Sequence, residues 1–235
     1  MTSVNHRSRH WVIGDVHGCA DALEQLLQRL PAGDRLIFCG DAINRGPTIA
    51  ASMERIWGLV EAGRAVWLRG NHEQDLILAL RSGSWLAQRR LAGCDTYRQL
   101  GDQRCRQWLE RLEHLPMAYW GDGWVATHAG FDPISWQPDL QVRLDFWQHY
   151  DGRFGEVVIG HTPGPHVRRL RHIVMVDTGA CYGGELSAYC PETQAVESVA
   201  GLRPDLAQPL PGLRGGSSCS LVASTWASSS ARLLR

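Results

Sequence analysis

Lysine is absent from this chain of 235 residues; all 24 Lys+Arg positions are arginine. These arginines are scattered along the sequence, so most read as a compositional bias and few can be bidentate clamps at one anionic site. Net charge is absent as well, since 24 Asp+Glu balance the arginines. That removes support for nucleic acid or an anionic membrane as the main partner. The seven cysteines are odd in number and form no CxxC pair. They are therefore not a disulfide framework and read as free thiols in a reducing compartment. No apolar run approaches the ~18 residues of a membrane span, and the polar residues 1–10 do not resemble a secretory leader. A cytoplasmic protein is expected. No internal repeat is visible.

What is present is an ordinary globular composition, 44% apolar and 20% charged, enough for one domain with a full core. Residues 1–200 read as that domain. Residues 201–235 are rich in Gly, Pro and Ser and read as a flexible tail. Trp11–Ile13, Leu36–Cys39 and Ala65–Leu68 are short apolar runs typical of buried strands. Ala20–Leu30 and Thr48–Ala62 carry helical spacing between them, with Gly63 as a stop. This alternation predicts a parallel α/β core. Residues 72–115 look helical, broken near Gly83, Gly93 and Gly101. The second half is strand-rich: Met117–His128, Val157–Ile159, Val167–Val176 and Glu185–Val199. Two sheets are expected.

Five segments carry metal-binding residue types. They read Gly14-Asp15-Val16-His17-Gly18, Gly40-Asp41-Ala42-Ile43-Asn44-Arg45-Gly46-Pro47, Arg69-Gly70-Asn71-His72-Glu73, Thr127-His128-Ala129-Gly130 and Gly160-His161-Thr162-Pro163. The first three sit at predicted strand ends, where ligands bind in α/β sheets. Asp15 and His17 can turn toward one ion, and a carboxylate with an imidazole suits Mn, Fe or Zn better than Ca or Mg. Asp41 can bridge two ions through its two oxygens. Asn71 offers an amide oxygen, and His128 and His161 add imidazoles. Two ions ~3.5–4 Å apart can clamp a phosphoryl group and lower the pKa of a water between them toward neutrality. The cofactors expected are thus two divalent transition-metal ions, with manganese first and iron or zinc as alternatives.

His72 follows Asn71 and comes within reach of a leaving oxygen as general acid. Arg45, in a turn beside Gly46, can hold two phosphate oxygens. Arg69 is a second, weaker candidate for substrate binding.

These segments resemble the phosphoprotein phosphatase family of calcineurin-like metallophosphoesterases, in particular its small bacterial members, over about residues 11–190. The resemblance implies an α/β/β/α sandwich with two central mixed sheets. It also implies Asp15, His17 and Asp41 on one ion, and Asp41, Asn71, His128 and His161 on the other, with His72 as acid and Arg45 as phosphate ligand. It implies hydrolysis of phosphomonoesters, foremost phosphoserine and phosphothreonine in proteins. Two departures bear on that. Asn44 stands where the family has an Asp that pairs with the catalytic histidine, and a neutral amide cannot raise the pKa of His72 by charge. His149 stands where small bacterial phosphatases place a second phosphate-binding Arg, with Arg143 as a substitute. Symmetrical diadenosine tetraphosphatases are similar to this family and also lack the Asp. The alternative reading is therefore a dinucleoside tetraphosphate hydrolase, with a phosphorylated small molecule as substrate.

Overall fold

A computed structural model describes residues 8–209. The expected tail is described only over 201–209; residues 210–235, with Cys219, lie outside the described residues.

The first three strands are buried on both faces. β1 (His10–Ile13), β2 (Arg35–Phe38) and β3 (Ala65–Trp67) are linked by α1 (Ala20–Arg29) and α2 (Ile49–Glu61). In β1, Trp11 and Ile13 enter one apolar cluster while Val12 enters another, as the period of two requires. Such strands read as continuous apolar runs rather than alternating ones. α1 turns Leu23, Leu26 and Leu27 inward, the stripe of a helix covering a sheet.

Three helices follow: α3 (Asn71–Ser82), α4 (Trp85–Gly93) and α5 (Asp95–Glu113). Gly83 ends α3 in the left-handed region, with φ 59°. At Gly101 the backbone leaves the helical region, with φ 76° and ψ 169°, so Asp95–Glu113 is two helical stretches meeting at a kink and the expected break is present. The remaining elements are β4 (Ala118–Trp120), β5 (Trp124–Thr127), β6 (Gly130–Phe131), β7 (Pro138–Asp139), α6 (Leu144–His149), β8 (Glu156–Ile159), β9 (Arg168–Leu170), β10 (Ile173–Met175), β11 (Glu185–Cys190) and β12 (Ala195–Ala200).

Two mixed five-stranded sheets result, in the orders β12-β11-β1-β2-β3 and β4-β5-β8-β10-β9. β1, β2 and β3 run parallel in the first, as do β5, β8 and β10 in the second. The sheets face each other through Val12, Ile37, Leu68, Ala126, Val158 and Val174. α1 to α5 cover the outer face of the first sheet. Among the described residues, α6 and an aromatic group around Phe131, Phe146 and Tyr150 cover the outer face of the second. The expected four-layer sandwich is present, with a thin fourth layer. Side chains as fully enclosed as Phe38, at 0% exposure, each stabilise the fold by ~1.5–3 kcal/mol.

Residues 201–209 lie on the body. Leu202 N–H donates to Ala180 O (2.8 Å) and Gln208 N–H to Cys181 O (2.8 Å). No helix among the described residues is long and apolar enough to cross a membrane.

Candidate metal centre

The six expected ligands gather at one edge of both sheets. Asp15 and His17 follow β1, Asp41 follows β2, and Asn71 opens α3 just after β3. His128 follows β5 and His161 follows β8. Parallel strands put their carboxyl ends on the same side, so ligands far apart in sequence meet there. The loops are knitted together. His17 N–H donates to Asp41 O and Gly18 N–H to Ala42 O, both at 2.9 Å. Gly46 N–H donates to His17 O at 2.9 Å, and a Cβ on Gly46 would stand 2.2 Å from that oxygen. Only glycine allows this approach. His17, Asp41, Asn44, Arg45 and His161 all have φ between 45° and 70°. Such left-handed conformations are uncommon for residues with a Cβ and cluster where function demands them.

The histidines are aimed by backbone carbonyls. His17 Nδ1 lies 2.7 Å from Ile43 O and His128 Nδ1 lies 2.8 Å from Cys39 O. A carbonyl only accepts, so each Nδ1 carries the proton and each Nε2 turns a lone pair inward. His17 Nε2 is 3.9 Å from Asp15 Oδ2 and 3.8 Å from Asp41 Oδ2. His128 Nε2 is 3.5 Å from Asp41 Oδ2 and 2.9 Å from Asn71 Oδ1. His161 Nδ1 lies 3.0 Å from Asn71 Oδ1. Asp41 Oδ2 thus stands between the two groups. Burial pushes both His17 and His161 down to about 3, which keeps their nitrogens free as neutral donors to a cation.

The carboxylates point the same way. Asp15, Asp41, Glu73 and Asp177 are each at most 4% exposed. Burial, then Asp177 and Asp41, pushes Asp15 well above the usual carboxylate range. Burial and Asp41 push Glu73 up to about 8, and burial pushes Asp177 up to about 6. Against its burial, Asp41 alone is held below the usual carboxylate range, by His128, His72 and His17; the other three acids, this dry, are costly as anions without compensating cations. Two divalent ions shared through Asp41 fit both the charge and the donor set.

Beside this group, one amide fixes a proton. Thr96 N–H, Thr96 Oγ1 and Cys94 Sγ all approach Asn44 Oδ1, at 3.0, 2.7 and 3.1 Å. A backbone N–H only donates, so the Asn44 atom there is its oxygen. Asn44 Nδ2 then faces His72 Nδ1 at 2.7 Å and donates to it. An accepting Nδ1 leaves the proton of the neutral ring on Nε2. His72 Nε2 is 3.9 Å from Asp41 Oδ2, close enough for a place on the metal, but a protonated nitrogen is not a ligand. Burial lowers the His72 pKa, against Asp41, which raises it. Arg45 Nη2 lies 3.2 Å from His72 Nε2. A guanidinium only donates, so a proton on Nε2 makes this a donor–donor contact, which an anionic oxygen taken up between the two groups would relieve.

The family model described as calcineurin-like phosphoesterase matches residues 8–190. The chain belongs to the calcineurin-like phosphoesterase family. It is a metallophosphoesterase, a hydrolase. A symmetrical bis(5'-nucleosyl)-tetraphosphatase of Ralstonia nicotianae is 39% identical over 122 residues, covering 52% of this chain and 41% of that protein. The chain thus spans less than half the length of that relative. An asymmetrical bis(5'-nucleosyl)-tetraphosphatase of Oceanobacillus iheyensis is 27% identical over 237 residues, covering 84% of this chain and 94% of that protein. A serine/threonine phosphatase structure from Saccharomyces cerevisiae superposes with TM-score 0.60 at 14% identity, over 83% of this chain and 81% of that one. That likeness concerns the fold.

Two residues expected to bind substrate are not brought into this phosphoesterase site. The Arg69 guanidinium turns to Gln74 Oε1 (3.0 Å) and to the Glu113 carbonyl at the end of α5. His149 Nδ1 bonds the Asp145 carbonyl of its own helix at 2.6 Å, on an exposed side chain. Helix geometry offers that i−4 carbonyl to a residue at the end of α6, and His149 takes it. Arg143 lies nearer, donating to Thr162 Oγ1 at 3.0 Å beside His161.

Other residues support the site without having been expected. Glu73 accepts from Asp41, Ala42 and Gly70 N–H at 2.8–2.9 Å. Asp95 Oδ2 accepts from Arg45 N–H (3.1 Å), and Gln208 Nε2 donates to Arg45 O (3.1 Å). Tyr182 lies under the Arg45 guanidinium, 5.2 Å from ring centroid to Cζ. Asp177 had a visible signal, an acid directly after the apolar run Ile173–Val176, like Asp15 and Asp41. The partners of Asn44 and Arg45 had none, because Cys94, Asp95 and Thr96 lie about 50 residues away at the start of α5, and Tyr182 and Gln208 lie farther still.

Proposed function

We propose that this metallophosphoesterase hydrolyses the polyphosphate bridge of bis(5'-nucleosyl) tetraphosphates. This takes the place of the phosphoprotein substrate that the motifs suggest on their own. The observation that carries it is the direction of the Asn44 amide. By donating to His72 Nδ1, Asn44 favours the neutral ring and disfavours the imidazolium. Serine alkoxide is a poor leaving group and needs a full proton. A nucleoside phosphate is an acidic, already charged leaving group and needs little more than a hydrogen bond. The names of the relatives, both symmetrical and asymmetrical tetraphosphatases, support the same reading.

On this reading Asp15, His17, Asp41, Asn71, His128 and His161 hold two divalent ions. Manganese is preferred, with iron or zinc as alternatives. When bound, such ions polarise phosphoryl oxygens and make a water nucleophilic at neutral pH. Arg45 grips the anionic oxygens of the reacting phosphoryl group, steadied by Asp95, Gln208 and Tyr182. His72 presents Nε2–H to the departing oxygen. Arg143, rather than His149, is placed to add a second phosphate contact.

The test is product analysis by anion-exchange chromatography after incubation of diadenosine tetraphosphate with protein and Mn²⁺. ADP alone, or ATP with AMP, is the expected outcome, and it disappears in Asp41→Asn. An intact dinucleotide under conditions that turn over p-nitrophenyl phosphate overturns the proposal.

A further inference from the structure

A cavity of about 560 Å³ opens beside the metal centre, between α3 and α4. Asn44 and His72 line it on the side of the metal centre, Leu76 and Leu91 are apolar members of its lining, and Arg89 and Arg90 line it from α4. The volume lies within the ~300–1,000 Å³ range of small-molecule sites.

Three observations give the cavity an occupant. The first is continuity. His72 Nε2 carries the ring proton and faces the same space as Arg45. A group whose departing oxygen meets that proton has its remaining atoms on the His72 side, where the cavity begins.

The second is charge. On α3 and α5, Arg81, Arg98, Arg104, Arg106 and Arg111 each pair with a carboxylate. Among the described residues Arg89 and Arg90 have no such partner. Arg89 lies instead over the exposed ring of Trp85, with Cζ 5.5 Å from the centroid. Two guanidinium groups without a carboxylate partner suit an anion with several phosphate oxygens.

The third is the mix of chemistry. Apolar surface from Leu76 and Leu91 suits a flat base, and the Asp75 carboxylate in the same lining suits sugar hydroxyls rather than phosphate. Phosphate, sugar and base together make a nucleotide.

We infer that the α3–α4 cavity is the subsite for the departing nucleoside phosphate, with Arg89 and Arg90 holding its terminal phosphates. The inference rests on the tetraphosphate reading for the identity of the leaving group. No bond forms in this cavity; it holds the product half that the hydrolysis releases.

Two variants test it. Gly93 lines the cavity, and a Cβ there meets nothing within 4 Å, so Gly93→Trp fills the space with little backbone cost. The second is Arg89→Ala/Arg90→Ala. For each, kcat/KM is measured on diadenosine tetraphosphate and on p-nitrophenyl phosphate with Mn²⁺. ADP inhibition of p-nitrophenyl phosphate turnover is measured alongside. The expected result is a loss of roughly tenfold or more on the dinucleotide relative to the small ester, with ADP inhibition weakened by a similar factor. Equal changes on both substrates, with ADP inhibition unaltered, overturn the inference. If the unaltered protein does not cleave the dinucleotide, the tetraphosphate reading fails, and the ADP arm still decides on the cavity. Inhibition lost in Gly93→Trp retains the subsite, and inhibition unchanged removes it.

Discussion

At Asn44 a single amide sets the protonation of the residue next to the chemistry. Its oxygen is fixed by the Thr96 N–H, so its nitrogen must donate to His72. The substitution Asn44→Asp reverses this. The carboxylate still accepts from Thr96 and Cys94, and its other oxygen now faces His72 Nδ1 and stabilises a protonated ring. We expect Asn44→Asp to raise the rate on alkyl phosphates more than on aryl phosphates, because the poorer leaving group gains more from a proton. Steady-state rates on a series of esters check this, and equal effects along the series contradict it. The departure at position 44 is legible in the sequence, and so is its consequence for leaving groups. The orientation of the amide is not, since Thr96 and Cys94 lie beyond three helices in chain order. His149 and Arg69 show the opposite error. Proximity in sequence to a motif suggests a role, but Arg69 is taken up by the Gln74 side chain and the Glu113 carbonyl at the end of α5, and His149 by the Asp145 carbonyl of its own helix.

Among elements, the junction between β3 and α3 bears most of the organisation. Glu73 lies one turn into α3, and its two oxygens take three N–H groups from the loops after β2 and β3. An amide has only one acceptor oxygen, so Glu73→Gln turns an NH₂ against at least one of those donors. The cost of leaving a buried donor unsatisfied is about 1–3 kcal/mol. Chemical denaturation of the Mn²⁺-loaded variant above about pH 8, where the Glu73 carboxyl is ionised and both oxygens accept, should show a loss of that order, together with weaker Mn²⁺ binding because Asp41 shifts. A change under about 0.5 kcal/mol, the ordinary scale of surface substitutions, contradicts the role given to Glu73. The strands and helices themselves are legible, because buried parallel strands read as apolar runs and the helices carry a 3.6 period. The thin outer layer is not. β6 and β7 have two residues each and α6 has six, too few to show any period. Their packing comes from aromatics such as Phe131 and Phe146, whose spacing follows neither strand nor helix.

For the whole molecule, the crowding of buried acids couples stability to pH and to metal. Asp177 moves from an ordinary 3.8 up to about 6, and Glu73 from 4.5 up to about 8. A raised folded value means that the ion-free fold holds the proton longer than the unfolded chain does. Between the two values unfolding releases protons, so stability falls as pH rises. Each group contributes about 1.4 kcal/mol for every pH unit between its unfolded and folded values. The effect is absent below about pH 4 and complete above about pH 8 for these two residues. Divalent ions compensate the carboxylates that result. EDTA-treated protein should therefore melt at a lower temperature at pH 8 than at pH 7, a window above the ordinary histidine value of 6.5 in which the lowered His17 and His161 no longer change the balance, and Mn²⁺ should raise Tm more at pH 8. Equal metal-induced changes in Tm at both pH values contradict this. That these six side chains gather at one edge was legible in the sequence, because the five segments fall at strand ends. The substrate was less so, because the motifs are similar to those of phosphatases while Asn44 and the nucleotide-sized cavity favour another leaving group. The decisive measurement is the ratio of kcat/KM on diadenosine tetraphosphate to that on a phosphoserine peptide, with Mn²⁺ in both. A preference of ~100-fold or more for the dinucleotide is expected, about 2.7 kcal/mol in the barrier. Equal values, or a preference for the peptide, would contradict the assignment of the leaving group to a nucleoside phosphate.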